Sequence, residues 1–184
     1  MPPMRAISLF SIAIVGLASC GGEDLVLPSE GEPAAVVIVQ GDGLTGRVGE
    51  LLAEPLVIQV LDGADRPVPN ATVAVELSGA RAEPDTLVTD TEGTARSEIT
   101  LGSQVGEAAG AVRVIAPEGP TDIAASFSVV AVAASANGLA IVSGDEQVGQ
   151  AGAELGDPLV VEVTDAFGNP IEGVPITWTA VGGG

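Results

Sequence analysis

The chain has 184 residues, with 25 Asp and Glu against six Arg, no Lys and no His, for a formal net charge of −19. So acidic a surface argues against nucleic acid, because nothing on it could replace the counterions around phosphates, and against electrostatic docking on anionic lipid. Aromatic residues make up only 2%, so the core must come from Val, Leu, Ile and Ala. Each of these buries little area, and a thin sandwich suits them better than a deep ligand cavity.

Residues 1–20 read MPPMRAISLFSIAIVGLASC. Arg5 supplies a positive start, and Ala6–Ser19 is an apolar run of 14 residues. That length fits the hydrophobic region of an export signal and falls short of the roughly 20 residues needed to span a bilayer. The run closes on Leu17-Ala18-Ser19-Cys20, which resembles the lipobox of bacterial lipoproteins. The resemblance implies cleavage before Cys20 and lipid attachment to it, with the membrane as a partner through that lipid. Cys20 is the only cysteine, so an internal disulfide is ruled out. Gly21 stands where an Asp would favour inner-membrane retention, so the resemblance further implies the outer membrane or cell surface.

Residues 21–33, GGEDLVLPSEGEP, read as a flexible charged tether. From Ala34 the pattern is that of strands. Ala34–Val39 is a short apolar run. Pro55–Leu61 alternates, with Leu56, Ile58 and Val60 on one face, and Ala71–Leu77 repeats this with Val73, Val75 and Leu77 inward and Thr72 and Glu76 outward. Period two predicts half-buried antiparallel strands. The turn formers Asp62-Gly-Ala-Asp-Arg-Pro67 separate them. Asp85–Thr89 reads as a weak strand and Asp90–Gly93 as a turn. Ala95–Leu101 reads as a strand facing in through Ala95, Ser97, Ile99 and Leu101. Gly102–Gly110 reads as a Gly-rich loop, and Ala111–Ala116 and Ile123–Val132 close the unit, with Phe127 as a core plug. Seven short strands separated by turns predict a sandwich.

The stretch Gly41–Leu77 then recurs without a gap at Gly144–Ala180, an offset of 103 residues (144 − 41). Gly41/Gly144, Gly46/Gly149, Gly49/Gly152, Pro55/Pro158, Val60/Val163, Asp62/Asp165 and Pro67/Pro170 coincide. A period near one hundred is too long for a solenoid turn and matches an immunoglobulin-like domain. In the second copy Leu159, Val161 and Val163 are expected inward and Glu162 outward, and Val174, Ile176 and Trp178 should form a third strand. The domain reading is a leader over 1–20, a tether over 21–33, a complete domain over 34–135, and the N-terminal part of a second over 137–184. With 48 residues left (184 − 137 + 1), that second domain is expected to be truncated.

The order GDG…G..G, PLVIQV.D….P….V.V.L, VTDTEGTARSEITLG, VRVIAPEG and FSVVA resembles the group 1 bacterial Ig-like domains, the repeats of intimin- and invasin-type proteins. The resemblance covers about 36–133 and 139–181. It implies an all-β immunoglobulin-like β-sandwich in a lipid-anchored surface protein, its tandem modules serving as a stalk for adhesion or structural display, with an unidentified surface protein or glycan as a possible ligand. Asp65-Arg66 departs from the Gly-Asn of the family, present here as Gly168-Asn169. This is expected to bear on packing and turn type and not on a site.

No catalytic, cofactor or metal site is expected. Gly41-x-Gly43-x-x-Gly46 has the dinucleotide-loop spacing, but Gly49, Pro55 and a strand follow where a helix would have to start. Nucleophilic hydrolysis has no His or Lys base available. Asp62 with Asp65, or Asp90 with Glu92, brings too few oxygen ligands for calcium by itself, although a site between domains could add more. The other class of function open at this point is the non-catalytic N-terminal region of a longer surface-anchored enzyme or glycan-binding protein.

Overall fold

The computed structural model describes residues 31–117 and 119–182. Among them there is no helix. The first repeat holds nine strands: β1 (Ala35–Gln40), β2 (Leu44–Arg47), β3 (Leu56–Leu61), β4 (Thr72–Leu77), β5 (Ala80–Glu83), β6 (Thr86–Val88), β7 (Thr94–Leu101), β8 (Gly106–Ala116) and β9 (Gly119–Val132). They form two sheets, ordered β1-β3-β7-β5 and β2-β9-β8-β4-β6. All pairings are antiparallel except β2 with β9. This is an all-β immunoglobulin-like sandwich.

The alternation read from the sequence sets the faces. Leu56, Ile58 and Val60 of β3 and Ile99 and Leu101 of β7 are buried from one sheet. Val73 and Val75 of β4, Val112 and Val114 of β8, and Phe127 and Val129 of β9 are buried from the other. Glu76, Arg96 and Glu98 point outward. Each such aliphatic side chain contributes about 1.5–3 kcal/mol by leaving water. Polar groups inside are paired. Thr89 is buried, its hydroxyl donates to the Val68 carbonyl at 2.7 Å, and its Oγ1 accepts the Ala71 N–H at 2.9 Å.

Three features of the first repeat differ from the sequence reading. Leu44–Arg47, read as loop, is β2, a short strand along the edge of β9. Ala80–Glu83, not read as a strand, is β5, paired with β7. Only four residues of the expected Gly102–Gly110 loop lie outside strands, because β8 starts at Gly106. Gly110 is in the ladder opposite Phe127. A Cβ there would lie 2.6 Å from Phe127 Cζ and 2.7 Å from Leu77 Cδ1. The glycine is therefore the space into which the ring fits, not a break in the strand.

The second repeat supplies β10 (Gly138–Ser143) and β11 (Val160–Thr164), an antiparallel pair. Their register is that of β1 and β3 displaced by 103 residues. Gly138 opposes Thr164 as Ala35 opposes Leu61, and the bulge at Ile141/Ser143 repeats the one at Ile38/Gln40. The expected third strand is absent: residues 174–180 have no ladder. In the first repeat β4 lies between β6 and β8, and the described residues hold no counterpart of either in the second. The same reason leaves the intended inner face open. Leu159 and Trp178 are 47% and 57% exposed, where Leu56 and Val75 in the first repeat are buried.

Candidate functional site at the joint between the repeats

The residues that converge in this chain do so where one repeat meets the next. Each repeat has an Asp-centred turn directly after its second sheet strand, and the two turns match bond for bond. In the first, Asp62 Oδ1 accepts the Ala64 and Arg66 N–H groups at 2.8 and 3.0 Å. In the second, Asp165 Oδ1 accepts those of Phe167 and Asn169 at 2.8 and 2.9 Å. The backbone closes identically, Asp62 N–H to Arg66 carbonyl and Asp165 N–H to Asn169 carbonyl, both at 2.9 Å. Asp65 and Gly168 both occupy the left-handed region, at φ 58° and 86°. That conformation costs Gly nothing and is tolerated by Asp, which explains the exchange of residues at this point.

The second carboxylate oxygen holds the chain that leads into the repeat. Gly31 N–H donates to Asp62 Oδ2 at 3.3 Å, and Ala134 N–H donates to Asp165 Oδ2 at 3.0 Å. Both Asp side chains are buried. For Asp62 the Arg66 N–H is the chief influence. Against the opposing effect of burial, and with the Ala64 N–H, the guanidinium and the Gly31 N–H, it holds the carboxyl well below the ordinary carboxylate range. For Asp165 burial pushes the pKa up, but the Asn169 side-chain amide and the Asn169, Ala134 and Phe167 N–H groups outweigh it, bringing it to about 2. Both turns are therefore built around a carboxylate that is charged at neutral pH.

The turns part company at the residue before the proline. Arg66 folds back on its own Asp, with Nε 3.0 Å and a terminal nitrogen 2.8 Å from Asp62 Oδ2. Asn169 is buried at 5% exposure. Its Nδ2 donates to Asp165 Oδ2 at 2.9 Å and also to the Ser103 carbonyl of the first repeat at 2.9 Å. Its Oδ1 accepts the Val105 N–H at 3.4 Å. The Phe167 ring lies over Gly49, where a Cβ would stand 2.6 Å from Phe167 Cζ. Gly49 N–H is tied to the Gly102 carbonyl at 2.9 Å, and Val48 N–H to the Val132 carbonyl at 2.9 Å. The receiving face is thus one braced end of the first sandwich.

The Gly168-Asn169 pair, read from the sequence as a matter of packing and turn type, also carries a contact between repeats. The missing signal was spatial: nothing in the sequence places Ser103 or Val105 beside residue 169.

The other residues singled out in the sequence do not assemble a reactive centre. Cys20 lies outside the described residues. Gly41 and Gly46 serve close packing: a Cβ on Gly41 would lie 2.7 Å from Leu56 Cα, and one on Gly46 would lie 2.7 Å from Leu52 Cδ2. Gly43 takes φ 70°, and Glu146, its counterpart, keeps that conformation at φ 56°. Asp90 Oδ1 accepts the Glu92 and Thr94 N–H groups at 2.9 Å each, a turn-closing role. Among the described residues no three His, Cys, Asp or Glu side chains stand close enough together to hold a metal ion. At the end of the first repeat away from the joint, a groove of about 700 Å³ runs between residues 31–33 and the β8–β9 hairpin, and among the described residues Glu32 is its one ionisable lining residue.

No protein-family model matches the chain, and no curated protein matches it. Solved structures similar to it include that of Yersinia pseudotuberculosis InvD, at 17% identity and a TM-score of 0.44, over 76% of this chain and 45% of that one. Another is domains 1–6 of the surface layer protein SbsC, at 12% identity and a TM-score of 0.39, over 76% and 17%. Domains 5–6 of SbsC give 12% and 0.38, over 76% and 66%.

Proposed function

We propose that this chain is the anchored end of a surface-displayed stalk: a lipid on Cys20, a tether over 21–33, then sandwich modules that hold a distal part away from the membrane and carry out no reaction themselves. The observation that carries the reading is the joint. Module follows module at a fixed repeat of 103 residues, and the second is fastened to the first through Asn169 by hydrogen bonds to Ser103 and Val105. A fastened joint transmits length and direction, which is what a spacer needs. The acidic surface supports it, since like charge keeps neighbouring stalks apart. The described residues supply turn-forming and outward-facing carboxylates where a reactive site would need a converging acid–base pair.

The anchor is tested by labelled fatty acid and detergent-phase partition in a bacterial host. The wild-type chain takes up label and enters the detergent phase, while Cys20→Ser remains unlabelled and soluble. A wild-type chain that takes up no label overturns the anchored reading.

A further inference from the structure

We infer that the second repeat accepts an extended strand along the free edge of β11, antiparallel to it and in the place that β7 holds beside β3 in the first repeat. The occupant is a strand of β7's pattern: a leading glycine, then small and aliphatic residues at alternate positions. The inference stands whether or not the chain is lipid-anchored.

The first repeat is the template. There β3 lies between β1 and β7. Among the described residues β11 has a sheet partner on one side only, β10. Its open side is nevertheless built like that of β3. The Val60 carbonyl accepts the Val68 N–H at 2.9 Å, and the Val163 carbonyl accepts the Ile171 N–H at 2.8 Å, the same bond one repeat on. The Val60 N–H donates to the Gly93 carbonyl at 2.8 Å, at the head of β7. Its counterpart is the Val163 N–H, and backbone groups alternate along a strand, so Val161 faces the same edge. A groove of about 330 Å³ opens beside β11, with Val161, Val163, Val174 and Ile176 in its lining. Their counterparts Ile58, Val60, Ala71 and Val73 are all buried. Apolar surface and a strand edge thus coincide, which is what strand addition requires.

The occupant's chemistry is read from β7. Its register on β3, carried over, sets Ala95 against Val161 and Ser97 against Leu159. Both are small, and both are buried in the first repeat. Thr94 falls against Glu162, and Arg96 stands diagonal to that carboxylate, within reach of a long side chain. Gly93 takes φ 68°, and a Cβ there would lie 2.8 Å from the Val60 carbonyl oxygen and 2.8 Å from Val68 N. The matching carbonyl and N–H are bonded alike in the second repeat, so the strand that enters there needs glycine at its head. A second copy of this chain offers no such strand without opening its own sandwich, because its β7 is held between β3 and β5. The partner is therefore a polypeptide in which a strand of this pattern is not already paired.

The test adds the capped peptide GTARSEITL, the sequence of Gly93–Leu101, to the full chain and follows hydrogen exchange by NMR. The Val161 and Val163 amides should exchange at least about tenfold more slowly with bound peptide, while Ile58 and Val60, already inside a complete sandwich, stay as they are. The same peptide carrying Gly93→Ala should bind about tenfold more weakly, since the left-handed backbone and the close carbonyl both oppose a side chain. Unchanged exchange at Val161 and Val163 in millimolar peptide overturns the inference, and so does equal protection by a scrambled peptide. Protection that grows with protein concentration in the absence of peptide, together with a dimer in sedimentation, would make a second copy the occupant and overturns it as well.

Discussion

Phe127 is the one aromatic side chain in β1–β9, and its replacement by Ala probes the core most sharply. The ring is buried and lies over Gly110, which offers no side chain to fill the space. Phe→Ala at such a site costs about 3–5 kcal/mol. The area route agrees: about 150–250 Å² of ring surface at about 25 cal/mol per Å² gives about 4–6 kcal/mol as an upper figure. For a module of this size, at about 5 °C per kcal/mol, the melting temperature should fall by about 15–25 °C. The glycine supplies the second half of the experiment. Gly110→Ala alone places a methyl 2.6 Å from Phe127 Cζ, and overpacking of that kind costs about 1–3 kcal/mol. In the Phe127→Ala background the ring is gone and only the flexible end of Leu77, 2.7 Å from the added methyl, has to give, so Gly110→Ala costs less there than in the parent. Thermal unfolding followed by far-UV circular dichroism on the four variants closes the cycle, with an expected coupling of at least about 1 kcal/mol. Additive effects, or a loss below about 1 kcal/mol for Phe127→Ala, would refute the packing described for β8 and β9.

Two further expectations concern the joint and the second repeat. Asp165 sits at about 2, against the ordinary 3.8. A depressed native pKa contributes stability that is complete above the unfolded-state value and is lost as pH falls through the native one. The turn should therefore hold from neutral pH to about 4 and give way toward about 2; a ¹³C titration of the Asp165 carboxyl with its midpoint near 4 would contradict this. Residues 137–184 expressed alone should be unfolded or aggregated, because two paired strands with an open apolar face are marginal in water. Protected amides across Pro158–Thr179 in that piece would count against the expectation.

The sandwich was legible in the sequence wherever burial alternates. The inward residues of β3, β4 and β7 follow period two, and period two is a direct imprint of a strand with one wet face. The edge elements were harder. β2 is a four-residue strand containing Gly46, and β5 carries Arg81 and Glu83 on its outer face; both are held by their ladders and not by propensity, so composition reads them as loop. Glycine misled at Gly106–Gly110 for the opposite reason, since there it makes room for Phe127 instead of turning the chain. The repeat was the strongest signal, and it extends to single hydrogen bonds, as Gly31/Ala134 on Asp62/Asp165 shows. The joint was not legible. Asn169 was visible as a turn residue, but its partners Ser103 and Val105 lie 66 and 64 residues away in the chain, and only the folded arrangement of the first repeat brings them to it.

An alanine scan of outward positions in 33–135, read by cell-surface ligand binding and by thermal unfolding together, tests the proposal that these modules work by length and alignment and not by a surface group. Glu76→Ala, Arg96→Ala and Glu98→Ala should each stay within about ±0.5 kcal/mol of the parent and leave binding unchanged, while Ile58→Asp, which buries an unpaired charge, should unfold the module. A single cluster of outward positions that abolishes binding at an unchanged melting temperature would contradict the account and make the module a binding domain.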